Sequence, residues 1–359
     1  MFEKIKNCMR KFYCPHVECS SCKLLIKKIQ SIHPRIEKLI DDESGGCDLG
    51  GKDWPEDFEE TYQPGGFTAL PLLGCTVHGG WSGGDQLQKI QKAHELGCNV
   101  VRVDCIAEAY NHGMRQGLLE YVQKAKSYGM RTMFVLGMGS NNTDPSWDVK
   151  PKPMDANYIT EYLQFIDTVS SDFSSHRGSI ILQILNEYNE TDMFYTVTLD
   201  RYMEILQAAY PKGKANGFSE VVMGGLIGHH KDNGTQAEYI GRMCDKGLNS
   251  CSDALCFHWY YGTTMDLSWC FVENISSARS KGFNKFVYIT EFGINGEETG
   301  DAKKIQVFDN MYRKAFREHG VNLACWYVMK ANTRWDILDA GYNPNAAYNH
   351  IKNNKNNPL

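Results

Sequence analysis

Residues 99–136 read NVVRVDCIAEAYNHGMRQGLLEYVQKAKSYGMRTMFVL. An apolar run at 99–104 is followed by an amphipathic stretch at 116–127, a glycine at 129 and a second apolar run at 131–136. Short β-branched runs flanking a helical period predict two parallel strands joined by a crossover helix. Gly129 falls where a helix ends in a left-handed residue, which glycine adopts at least cost.

The same unit repeats on both sides. Strands are expected at 70–77, 99–104, 131–136, 180–185, 220–226, 254–259, 285–290 and 322–327. Helices are expected at 86–96, 116–127, 156–173, 199–209, 236–246, 271–281, 302–318 and 345–352. Eight strand–helix units over about 285 residues predict an α/β fold closed as a (β/α)₈ TIM barrel. The loop after the first strand reads Gly79-Gly80-Trp81-Ser82-Gly83-Gly84 and lacks the G-x-G-x-x-G spacing, which argues against an open nucleotide-binding sheet.

Residues 1–65 differ in kind. They hold five cysteines and end in a Gly/Asp-rich passage near 45–66, so they read as an N-terminal extension and linker before a barrel at 66–359. Cys14, His16, Cys19 and Cys22 supply enough ligands for a tetrahedral structural zinc. Disulfides within the arm or free thiols are the competing readings, and docking to a partner or oligomerisation is a role open to this segment. The 13 cysteines are odd in number, so at least one thiol is unpaired in a monomer. Cys75, Cys105, Cys256 and Cys325 sit inside apolar runs and read as core residues.

Charge narrows the partners. The net charge is −5 with no basic stripe, which points away from nucleic acid. No run of 18 apolar residues occurs, so no membrane span is expected, and the first residues lack a signal-peptide core. The expected setting is cytoplasmic, particle-associated or release by lysis.

Active sites of such barrels lie at the carboxyl ends of the strands. Strand 2 carries Arg102, strand 4 ends in Asn186-Glu187, strand 6 in His258-Trp259-Tyr260, strand 7 in Glu291 and strand 8 in Trp326; His78 and Trp81 follow strand 1. Two carboxylates facing each other across a barrel mouth suit glycoside hydrolysis, where one group donates a proton and the other attacks or supports the sugar cation. Arg102 and Tyr260 would hold Glu291 ionised. Asn186 would bind the sugar 2-hydroxyl, and His258 would orient the network. Trp326, Trp81, Trp259 and His78 are candidates to line the sugar groove. No cofactor or catalytic metal is expected, and the partner is a polysaccharide or oligosaccharide.

Asn-Glu closing strand 4, His-x-Tyr on strand 6, Thr-Glu-Phe-Gly on strand 7 and Trp on strand 8 resemble clan A glycoside hydrolases, most closely family 5. The segment HELGCNVVRVD at 94–104 is similar to the helix 1–strand 2 segment of that family. The resemblance spans roughly residues 70–352. It implies a retaining double displacement, with Glu187 as acid/base and Glu291 as nucleophile, on a β-1,4-mannan or β-glucan. Two departures stand out. The family's histidine near the end of strand 3 is missing from TMFVLGMGSNN, where Asn141 or Asn142 would have to substitute, and Asp104 occupies a position where proline is common. A carbohydrate-binding barrel without catalysis, an exo-glycosidase and a transglycosylase are the alternatives.

Overall fold

The computed structural model describes residues 69–77, 84–139, 156–189, 197–227, 235–261, 270–294, 300–330 and 336–359. The extension with its zinc candidates Cys14, His16, Cys19 and Cys22 lies outside the described residues, as do His78, Trp81, Asn141 and Asn142.

Eight parallel strands form one sheet: β1 (Leu72–Thr76), β2 (Val100–Ile106), β3 (Arg131–Gly137), β4 (Ile180–Ile184), β5 (Glu220–Met223), β6 (Ala254–Tyr261), β7 (Phe286–Ile294) and β8 (Leu323–Trp326). Their order is β5-β4-β3-β2-β1-β8-β7-β6. A parallel bridge between Leu226 and Phe257 joins β5 to β6, so the sheet closes as the expected (β/α)₈ barrel.

The helices follow the strands in turn. They are α1 (Gly84–Leu96), α2 (Arg115–Ser127), α3 (Tyr158–Asp172), α4 (Leu199–Ala215), α5 (Gln236–Asp245), α6 (Cys270–Ser280), α7 (Gly300–Val307) and α8 (Ala346–Asn354). The Thr235 side chain accepts from the Glu238 N–H, and the Glu238 carboxylate accepts from the Thr235 N–H, which fixes the start of α5. Gly129 ends α2 with φ +74°, as the sequence requires. Among the described residues no helix is long and apolar enough to cross a membrane.

Two elements differ from the sequence expectation. Helix α4 runs six residues past 209, through Pro211. Proline removes one helical hydrogen bond. The last turn persists because Gly213 packs against Leu182 and Val221, so closely that a Cβ there would lie 2.7 Å from a Val221 methyl. The segment after α7 is a π-helix, Phe308–Phe316, which sets Phe308, Met311, Tyr312 and Phe316 against the barrel.

The core has an inner part within the strands and an outer layer between strands and helices. Cys75, Cys105, Cys256 and Cys325 are all buried, as their apolar context predicts. Burial pushes the Cys325 thiol up to about 12, so it is an unreactive packing group.

Candidate active site

Strand geometry aims the side chains. Arg102 on β2 points into the barrel, and its guanidinium is shared among three acceptors. Its Nε donates to Gln183 Oε1 at 3.0 Å, one terminal nitrogen to Glu291 Oε1 at 2.6 Å and the other to Asn186 Oδ1 at 2.7 Å. Gln183 Nε2 in turn donates to Asn186 Oδ1 at 3.1 Å and to the Leu185 carbonyl at 3.2 Å. One buried cation therefore fixes the positions of a carboxylate on β7 and an amide beyond β4.

Glu291 reaches the interior through a bulge. Phe257 pairs with Ile289, whereas the next residue, His258, pairs with Glu291, so Thr290 is an extra residue on β7. The same slip appears against β8. Bulges bend a strand and re-aim its side chains. Here the bulge turns Glu291 inward and Phe292 outward, onto Trp326, Tyr312 and Phe316. The second Glu291 oxygen accepts from the Tyr260 hydroxyl. Burial, and then the nearby charges of Glu291 and Glu187, hold the Tyr260 phenol well above its ordinary value, so it stays a donor. Burial pulls the Arg102 guanidinium down, but the charges of Glu291 and Asp104 more than restore it.

Glu187 is presented differently. Leu185 and Glu187 have φ of +64° and +46°, a left-handed backbone that non-glycine residues rarely adopt. Such residues cost on the order of 1–3 kcal/mol each and persist only where their surroundings hold them. The Leu185 N–H donates to Leu136 and the Glu187 N–H to Gly225, at 3.0 and 2.9 Å. The turn points Glu187 back over the barrel mouth. His258 lies between the two carboxylates, with Nδ1 2.7 Å from Glu187 Oε1 and Nε2 3.6 Å from Glu291 Oε1.

Glu187, His258 and Glu291 each offer one ligand atom within 4.8 Å of the others, a spacing that a cation could span. The surroundings fit a cation poorly. Arg102 already holds Glu291 Oε1, its positive charge opposes a second one, and His258 Nδ1 is engaged by Glu187.

The structure thus brings Arg102, Asn186, Glu187, His258, Tyr260 and Glu291 together. Two tryptophans need correction. Trp259 and Trp326 are 1% and 0% exposed. Their rings meet Phe316 and Phe292 edge-on, in the layer between barrel and helices. Burying a side chain of that size is worth about 4–6 kcal/mol, so neither is free to stack on a sugar. Successive strand residues point to opposite faces. With His258 and Tyr260 inward, Trp259 must point outward.

The inward aromatic just past β8 is Tyr327, which sequence reading passed over. Its ring lies 5.7 Å from that of Tyr260, edge to face, and it is half-buried. Burial, then the charges of Glu291, Asp104 and Glu187, raise its phenol well above the ordinary value, which places it at the site. Asp104 is felt by both Arg102 and Tyr327 and so faces the same mouth. Gln183 was also missed. Its signal was a polar residue inside an otherwise apolar strand, IILQI.

Comparison with known proteins agrees on the fold. The chain is similar to a family 39 glycoside hydrolase from Bacteroides cellulosilyticus, with 17% identity, a TM-score of 0.60 and coverage of 79% of this chain and 63% of that one. It thus spans less than two thirds of that protein's length. It is also similar to a family 5 broad-specificity endoglucanase from Clostridium longisporum (13% identity, TM-score 0.54, covering 75% and 84%). A third similar structure is an endo-1,4-β-D-mannanase from Thermotoga petrophila (14% identity, TM-score 0.51, covering 79% and 99%). No curated protein sequence matches. Residues 60–332, well over half the chain, match the family described as Cellulase (glycosyl hydrolase family 5). The chain belongs to that family.

Proposed function

We propose that this chain cleaves β-linked polysaccharide internally and with retention of configuration, Glu291 acting as nucleophile and Glu187 as acid/base. One observation carries the reading: an oxygen of Glu187 and an oxygen of Glu291 lie within 4.8 Å of each other in a buried mouth. Retaining enzymes hold their carboxyl groups about 5–5.5 Å apart, whereas inverting enzymes need about 6.5–9.5 Å to admit a water.

The two environments divide the roles. Glu291 faces the Arg102 cation and the Tyr260 hydroxyl, partners that favour an ionised, attacking carboxylate. Glu187 faces a histidine ring instead. In the first step a Glu291 oxygen bonds to the anomeric carbon as the glycosidic carbon–oxygen bond breaks, and the Glu187 proton passes to the leaving oxygen. In the second step the Glu187 carboxylate takes a proton from water, whose oxygen displaces Glu291 from the sugar. Asn186, held by Arg102 and Gln183, is set to bind the sugar 2-hydroxyl. Tyr327, rather than the buried Trp326, lines the sugar groove beside them.

A β-1,4-mannan or β-glucan is the substrate that the family resemblance favours, and similar structures include an endoglucanase and a mannanase. Product profiling on mannan, glucan, xylan and chitosan tests this. Internal cleavage of one of the first two supports the reading. Release of monosaccharide from chain ends, or no turnover of any of the four, contradicts it.

A further inference from the structure

Beyond β5 the chain reads Met223-Gly224-Gly225-Leu226. These residues lie between the acid/base carboxylate and the histidine that touches it. The Gly225 carbonyl accepts from the Glu187 N–H at 2.9 Å. One residue on, Leu226 donates to Cys256 and accepts from the His258 N–H, at 3.3 and 2.7 Å. Residues 225 and 226 thus tie the left-handed Glu187 turn to the backbone of His258.

The missing side chain matters as much as the backbone. A Cβ on Gly225 would stand 2.1 Å from His258 Nε2, 2.5 Å from its Cδ2 and 2.7 Å from Thr290 Oγ1. All three lie inside the closest approach real Cβ atoms make. The φ of Gly225 is outside the left-handed region, so alanine meets no backbone penalty there. The conflict is with side chains alone, the imidazole first and the Thr290 hydroxyl second. His258 is 2% exposed, and its Nε2 makes no hydrogen bond among the described residues, so that edge of the ring rests on packing and on Glu291 Oε1 at 3.6 Å, and the other on Glu187.

We infer that Gly225 is a positioning residue for the acid/base step: the space left by its missing side chain seats His258 against Glu187. This rests on the reading of Glu187 as acid/base. Adding a methyl group at 225 drives the ring off its seat and breaks the Nδ1 contact with Glu187. Loss of acid assistance has a chemical signature that general misfolding lacks. It slows bond cleavage to poor leaving groups and spares good ones, which depart without a proton.

The test compares kcat/KM on phenyl and 2,4-dinitrophenyl β-cellobiosides and β-mannobiosides. Gly225→Ala should lose about 100-fold or more on the phenyl glycoside and less than about tenfold on the dinitrophenyl one. His258→Ala should show the same selectivity. In the His258→Ala background, Gly225→Ala should cost less than about a further twofold, because the ring it meets first is gone and only the Thr290 hydroxyl is left to turn aside. Equal losses on both leaving groups, or full multiplication of the two single effects, overturns the inference. Should Gly225→Ala alone fail to fold, the double variant should still fold and melt within about 3 °C of His258→Ala; its failure also overturns the inference. Glu187→Ala is the separate control. Activity surviving there on the phenyl glycoside refutes the acid/base reading itself, whereas an inactive Glu187→Ala beside an additive Gly225→Ala refutes only the positioning role.

Discussion

The barrel holds the same trio of side chains at both ends. At the mouth, Arg102 and the Tyr260 hydroxyl each donate to one oxygen of Glu291. At the floor, Arg131 and the Tyr288 hydroxyl each donate to one oxygen of Glu220. Residue types and bonding pattern are alike, yet the surroundings of the two trios differ. At the mouth the arginine and glutamate side chains are 1% and 5% exposed, against 30% and 13% at the floor. The mouth adds a second carboxylate, Glu187, and a histidine between the two. An Arg–Glu–Tyr cluster is therefore a way of closing a barrel end. It becomes chemistry when a second carboxylate lies within reach of the same bond.

The largest effect that separates the two ends is loss of a mouth carboxylate. Glu291→Ala and Glu187→Ala should each lower kcat on polysaccharide by more than about 10³-fold, with folded protein retained. Glu220→Ala, by contrast, should leave kcat of the folded protein within about twofold. A catalytic loss at Glu220 matching that at Glu291 would erase the distinction. Arg102→Met comes next. It leaves a buried glutamate without its cation, so it should cost about 3–5 kcal/mol in denaturant unfolding and at least about tenfold in kcat/KM. Arg131→Met should cost about 1–3 kcal/mol, between the values for exposed and buried pairs, with activity unchanged.

The smallest effect is at the floor and depends on pH. Asp253 accepts from the Val221 N–H, the Tyr210 hydroxyl and Lys214, at 2.9, 2.8 and 3.0 Å. Burial pushes its carboxyl up, but these donors together hold it below the ordinary value. A group whose folded pKa is depressed stabilises the fold above its unfolded value, about 3.9, and loses that contribution as pH falls through the folded value. Wild type should therefore lose more stability than Asp253→Asn between about pH 5 and pH 3. Identical slopes in acid would show that these donors do not favour the charged form.

Much of this comparison was legible in the sequence, and what was not has a physical reason. The strand–helix period and the glycine stops located all eight strands, because parallel strands buried on both faces read as short apolar runs. Glu187 and Glu291 stood at strand ends, where the barrel puts chemistry. Trp259 and Trp326 misled because a tryptophan beside a site suggests sugar stacking, while strand alternation already sends Trp259 outward. Tyr327 was passed over for the same cause. The bulge at Thr290 cannot be read from composition, since an extra residue in one strand shows only against its neighbours. Neither can the helix through Pro211, where packing of Gly213 on Val221 prevails over local propensity.

Double displacement by Glu187 and Glu291 at one bond, as proposed, leaves the anomeric configuration of the product unchanged. ¹H NMR of the anomer first released from a soluble β-1,4-linked mannohexaose or cellohexaose tests it most directly. Double displacement releases the β anomer first, which then mutarotates to the equilibrium mixture. First appearance of the α anomer would mean inversion and would contradict it.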